Sequence, residues 1–234
     1  MTRPAAGVSF PGMSRRAVPL LLAAFAVTAA CGGDSSGPPS PEPYAFELIQ
    51  AYDSAGFRVD TLPFHWPRGM VPLQVWAENT AGLPTHVANA ITRWRGAFRN
   101  GEWNAVLTAD STTADIIVRH LPIAAPMGRP ALRLRAQGLF CEGVTLIDTV
   151  GTRFELRVPV QVRVYDLPAA PDPTACLAQV TAHELGHALG ILQHSPFDED
   201  LMYAVPTATV PSDRDLATAR HAYRVTPELV PVRP

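Results

Sequence analysis

The stretch from Thr181 to His194 constrains this chain more than any other. His183 and His187 stand four residues apart, so on an α-helix they lie one turn apart on the same face. Two imidazoles so placed can reach a single metal ion at about 2.0–2.1 Å. Glu184 follows the first histidine and would meet a water held by that ion without ligating it, a position suited to a general base. Gly190 then lets the backbone leave the helix through a left-handed turn. The chain can double back and bring in His194 as a third ligand. The stretch therefore demands a helix, a stop at Gly190 and a reversal beneath the metal face.

The start of that helix is equally legible. Asp172-Pro173 supplies an N-cap and a proline at the first helical position. Elsewhere, Val87, Ile91, Trp94 and Phe98 form one apolar stripe at helical spacing, which predicts a helix over 84–99 stopped by Asn100-Gly101. Residues 73–78, 103–107, 114–121 and 144–150 read as strands. The clearest alternation sets Leu156, Val158, Val160, Val162 and Val164 against Arg157, Pro159, Gln161 and Arg163. Pro159 cannot donate a ladder hydrogen bond, so strand 156–164 is expected at a sheet edge. Residues 167–173 read as a loop. A last helix begins near Ser212, with Asp215 three residues later completing a capping box, and with Leu216, Ala219 and Tyr223 on its buried side.

Hydrophobic residues make up 47% of the 234 and charged residues 17%, enough to build a packed core. Neither an internal repeat nor a second core is evident. The expectation is one α+β domain over 44–226, followed by a tail, 227–234. A formal net charge of -2 argues against a nucleic-acid partner. Nothing in the sequence calls for an oligomer, so a monomer is expected.

The N-terminus reads as an address. Arg15-Arg16 precedes the uncharged run from Ala17 to Ala30, the layout of a signal peptide over 1–30, with Met1 or Met13 as the start. Thr28-Ala29-Ala30-Cys31 is similar to the lipobox of bacterial lipoproteins, which implies acylation of Cys31, although Thr28 stands where the pattern has an aliphatic residue. Residues 31–43 are rich in Gly, Ser and Pro and form a flexible tether. The plain alternative is a secreted or periplasmic protein with an incidental cysteine. Cys141 and Cys176 remain, either as a disulfide suited to an oxidising compartment or as two buried thiols.

His183, Glu184, His187, Gly190, His194, Ser195 and Leu201-Met202-Tyr203, in that order, resemble the metzincin clan of zinc endopeptidases, and most of all its matrixin-like bacterial branch. The resemblance spans most of 65–225, although the zinc segment alone is specific. It implies a single catalytic domain with a twisted mixed sheet, an active-site helix, a methionine turn at Met202 and a C-terminal helix. It also implies one catalytic Zn²⁺ on His183, His187 and His194, with Glu184 as the base. Residues 203–211 would wall the pocket for the residue after the cut. Two departures stand out. His194 is one residue later than the family's third ligand, whose place Gln193 takes, and this reads as a one-residue insertion. Ala204 replaces the proline that follows the methionine turn. Neither a cysteine-switch segment nor a structural-zinc loop is recognisable.

The expected activity is hydrolysis of peptide bonds in a protein or peptide substrate. An exported zinc-bearing binding module and a hydrolase of a non-peptide bond are the competing readings. An intact Glu184 weighs against the binding module, which needs no base. His65, His86, His120 and His221 are isolated in sequence and are expected to be structural.

Overall fold

The computed structural model describes residues 41–52, 58–122, 141–150, 155–166 and 172–233. The expected signal peptide, Cys31, most of the tether and residues 167–171 of the predicted loop lie outside them. In chain order the first elements are β1 (Leu48–Tyr52), β2 (Arg58–Leu62), a 3-10 turn (Arg68–Met70), β3 (Leu73–Ala77), α1 (Leu83–Arg95), β4 (Ala105–Thr108) and β5 (Ile116–Pro122). There follow β6 (Cys141–Leu146), β7 (Thr149–Val150), β8 (Glu155–Arg157), β9 (Val160–Asp166), α2 (Pro173–Leu189), α3 (Asp213–Ala222) and β10 (Val230–Val232). The arrangement is α+β.

The principal sheet has five strands in the order β4-β3-β5-β9-β6. The first four run parallel, and β6 runs antiparallel to β9. Strands buried on a parallel sheet favour β-branched residues, and β9 supplies Val160, Val162 and Val164, each at most 1% exposed. Burial of each contributes roughly 1.5–3 kcal/mol.

Segment 156–164 does not form a single edge strand, contrary to expectation. The segment breaks at Val158-Pro159 into β8 and β9, and β9 lies inside the sheet between β5 and β6. Pro159 has no N–H to give, and it stands between the two strands, where none is needed. Val158 N–H on one side bonds to the Val232 carbonyl, and Val160 N–H on the other bonds to the Asp115 carbonyl. The antiparallel edge is β6 instead.

Two further boundaries differ from expectation. Predicted strand 144–150 divides between β6 and β7, which belong to different sheets. Helix α1 ends at Arg95 rather than 99, and the N–H groups of Ala97 and Phe98 bond three residues back in a tighter turn. Phe98 nonetheless stays buried, so the apolar stripe was read correctly beyond the helix that carries it.

Residues 227–233, expected as a tail, pack onto the fold. Leu229 is fully buried, β10 pairs in parallel with β8, and Arg233 forms an ion pair of 2.6 Å with the buried Asp115. The two helices nearest the centre pack together. Trp94 of α1 donates its indole N–H to the Ala182 carbonyl of α2 at 2.8 Å, and Trp66 donates to Ala188 at 2.8 Å. Each tryptophan thus buries a large apolar ring while satisfying its one polar atom. Among the described residues no helix is long and apolar enough to cross a membrane.

Candidate metal centre

Both ends of α2 follow their sequence signals. The Asp172 side chain accepts the Ala175 N–H, with Pro173 at the first helical position. Gly190 closes the helix at φ 128°. A Cβ there would stand 2.5 Å from the Phe64 carbonyl oxygen, so both the torsion and the close approach require glycine. Beyond it the Leu192 N–H bonds to the Phe46 carbonyl at 2.7 Å, which turns the chain back.

This reversal brings His194 to His183 and His187. One ligand atom from each of the three lies within 4.8 Å of the others, a group that could hold a metal ion. The Nε2 atoms of His183 and His187 are 3.1 Å apart. Two nitrogens bound tetrahedrally to one ion at 2.0–2.1 Å stand about 3.3 Å apart, so this pair is already set. Their far nitrogens are tied down as well. Nδ1 of His183 bonds to the Leu201 carbonyl at 2.7 Å, and Nδ1 of His187 bonds to the Ile191 carbonyl at 2.6 Å. Carbonyls accept only, so each Nδ1 carries the proton and each Nε2 presents a lone pair to the centre. Burial pushes the pKa of His183 down to about 4 and that of His187 well below the ordinary value, which keeps both neutral.

Gln193 turns away. Its amide donates to the Glu47 carbonyl at 2.8 Å, and His194 is the residue that joins the cluster. His65, His86, His120 and His221 do not belong to it. His65 stacks on Tyr223, and His221 packs edge-on against Phe46.

Glu184 is 4% exposed and held by two residues of β6. The Thr145 hydroxyl lies 2.8 Å from Oε2 and 2.9 Å from the Glu184 carbonyl oxygen. Two residues earlier, on the same face of the strand, Gly143 leaves the space that the carboxyl fills. A Cβ at Gly143 would stand 2.5 Å from Oε1 and 2.7 Å from Cδ. Burial raises the Glu184 pKa to about 7, with the Thr145 hydrogen bond pulling the other way. Neither Gly143 nor Thr145 stands out in the sequence. The signal was the i, i+2 spacing, which places them on one face but does not name what they face.

Met202 lies fully buried beneath the helix. A Cβ at Gly186 would collide with its sulfur and stand 2.7 Å from Trp94, so the second variable position of the His-Glu-x-x-His segment must be small. The turn carrying Met202 is fixed by the buried Asp215 of α3. That carboxylate accepts N–H groups from Leu201 at 2.8 Å and Ser212 at 2.9 Å, and the Tyr44 hydroxyl at 2.6 Å. The reciprocal bond from Asp215 N–H to Ser212 completes the expected capping box. Of the cysteines, Cys176 in the first turn of α2 is disulfide-bonded. The side chain of Cys141, which opens β6, lies outside the described residues, as does Cys31.

No family model matches the chain, and no curated protein matches it.

Proposed function

We propose that the protein is a zinc-dependent endopeptidase with a metzincin-like catalytic domain. The observation that carries the reading is the buried Glu184 carboxylate beside three convergent histidines, next to a sheet edge that has no partner strand among the described residues. Neutral imidazoles presenting Nε2 lone pairs are a donor set suited to Zn²⁺. When bound, Zn²⁺ would be held by His183, His187 and His194 and would supply Lewis-acid polarisation of the scissile carbonyl and acidification of the attacking water.

The chain's own residues do the rest. Glu184 takes the proton from the attacking water and passes it to the leaving amine. A carboxyl whose pKa lies near 7 can both accept and return a proton at neutral pH. Thr145 orients it through Oε2, which leaves Oε1 for the water. The outer side of β6 carries no partner strand among the described residues, and an extended peptide can add there by backbone pairing. Strand β9 is paired on both sides, by β5 and β6, and offers no edge for such pairing. By the family resemblance, residues 203–211 wall the pocket for the side chain after the cut.

The protein is further proposed to be exported and to work as a monomer, with Cys31 acylated at the membrane. A metal analysis with a cleavage assay on an unfolded protein such as reduced casein tests the catalytic reading. The metal-loaded protein should cut it, and Glu184→Gln should retain the metal while losing about 10²–10⁴-fold in rate. Full activity in Glu184→Gln would remove the base assignment. A loaded protein that hydrolyses esters but no polypeptide would remove the peptidase reading.

A further inference from the structure

A concavity of about 250 Å³ is lined by Arg68, Arg99, Arg220 and Arg224 together with Glu102 and Tyr223. Its arginines come from three separate parts of the chain. Arg68 opens the 3-10 turn before β3, Arg99 follows α1, Arg220 lies in the last turn of α3, and Arg224 lies just beyond it. None of the four is ion-paired with a carboxylate among the described residues, whereas Arg214 and Arg233 both are. Glu102 is the acidic member of the lining, and its two carboxylate oxygens are already engaged by the backbone N–H and side-chain amide of Asn100. Four arginines and one glutamate in the lining leave an excess of positive charge in a chain whose formal charge is -2. Like charges gathered from three segments repel one another, and an anion seated among them relieves that repulsion.

We infer that this concavity binds a phosphate-bearing ligand. Guanidinium groups present paired N–H donors that match the oxygens of a phosphate, and the positive excess suits a dianion better than a single carboxylate. The space exceeds a bare phosphate and leaves room for the group that carries it. Tyr223 offers an aromatic wall, its hydroxyl being committed to the Leu189 carbonyl at 3.0 Å. The phosphate belongs either to a soluble ester or to an anionic lipid headgroup, and the same chemistry serves both. The inference is independent of the peptidase reading.

Titration of the full chain with inorganic phosphate, followed by calorimetry, tests it. One saturable site per chain is expected. The double variant Arg220→Gln/Arg224→Gln and the single variant Arg99→Gln should each bind at least about tenfold more weakly. Arg119→Gln, an exposed arginine of β5 outside the lining, should bind as the parent does. Circular dichroism and melting temperature confirm that each variant is folded. Sedimentation with phosphatidylglycerol vesicles, against phosphatidylcholine vesicles, assigns the source. Arginine-dependent capture by phosphatidylglycerol points to a headgroup, and phosphate binding without it points to a soluble ester. Absence of saturation by ~10 mM phosphate, or equal weakening by Arg119→Gln, overturns the inference.

Discussion

Helix α2 and strand β6 meet at Glu184, and they are built on opposite plans. The helix and its reversal carry the three clustered histidines, Glu184 and the terminating glycine within one short stretch. The strand adds none of the clustered histidines. It contributes a missing side chain at Gly143 and a hydroxyl at Thr145. On the proposed reading, metal affinity would be a local property of the helix and its reversal, whereas proton transfer would depend on a strand about forty residues away in sequence. Changes on one side should leave the other measurable, and this can be tested from the largest effect downward.

His194→Ala should abolish metal retention and cleavage together, while Gln193→Ala should leave metal content almost unchanged, as the Gln193 amide faces the Glu47 carbonyl. Equilibrium dialysis against a chelator compares the two. A worse loss in the Gln193 variant would transfer the third ligand to that position.

The cysteines should tie the two regions together. Cys176 begins the helix and Cys141 begins the strand, so we expect the disulfide of Cys176 to join these two, with Cys31 acylated. Closing a loop of ~35 residues stabilises by roughly 3–4 kcal/mol in the chain-entropy model. Peptide mapping of the exported protein should recover the 141–176 pair and a lipid on Cys31. Reduction should lower the melting temperature while metal stays bound. A mapped 31–176 bond, or an unmodified Cys31, would contradict the lipoprotein reading.

In the metal-free protein the two plans should show opposite pH dependence. The folded-state pKa of His183 is depressed, to about 4, so the stability tied to its neutral form is present above 6.5 and is lost as pH falls toward 4. That loss approaches about 3 kcal/mol. The pKa of Glu184 is raised, so its contribution is present below 4.5 and is lost as pH rises through about 7. Wild type should therefore show partial cancellation between pH 4.5 and 6.5. Urea unfolding of metal-free Glu184→Gln should expose the histidine loss as a steeper decline toward acid. Parallel pH curves for the two proteins would refute the burial argument for Glu184.

The finest test lies on the strand. Gly143→Ala places a carbon against the Glu184 carboxyl, and Thr145→Val removes its hydrogen bond. Each should cost about tenfold or more in cleavage with metal content unchanged. Thr145→Val should also move the acid limb of the rate profile to higher pH, since the lost hydrogen bond was lowering the Glu184 pKa. Loss of metal in either variant would mean that strand and helix are not separable.

The same contrast explains what the sequence could and could not reveal. The helix over Pro173–Leu189, its caps and the three histidines depend on neighbours within about twenty residues, and each carries a local signature. The capping box at Ser212 and Asp215 was legible for the same reason. Sheet order has no such signature. Alternation at Val160, Val162 and Val164 marks a buried face, yet it is silent on whether one neighbour or two will pair with the strand. Pro159 suggested an edge because a proline inside a strand loses a bond, and the fold instead ends one strand and starts another around it. Residues 227–234 read as a tail because short β10 pairs with β8, a partner about seventy-five residues earlier. Gly143 and Thr145 were hidden by the same distance.

Asp215 carries one more consequence, best put in terms of heredity. Its carboxylate receives donors from the N-terminal segment, the methionine turn and the start of α3 at once. A carboxylate offers acceptors on both oxygens and no donor, whereas asparagine would present two donors to groups that already donate. Glutamate would carry the acceptor a methylene farther into a fully buried space. Neither nearest chemical relative of aspartate can stand in for it. Position 215 has no synonym, and a lineage that keeps the buried methionine turn must keep this aspartate with it.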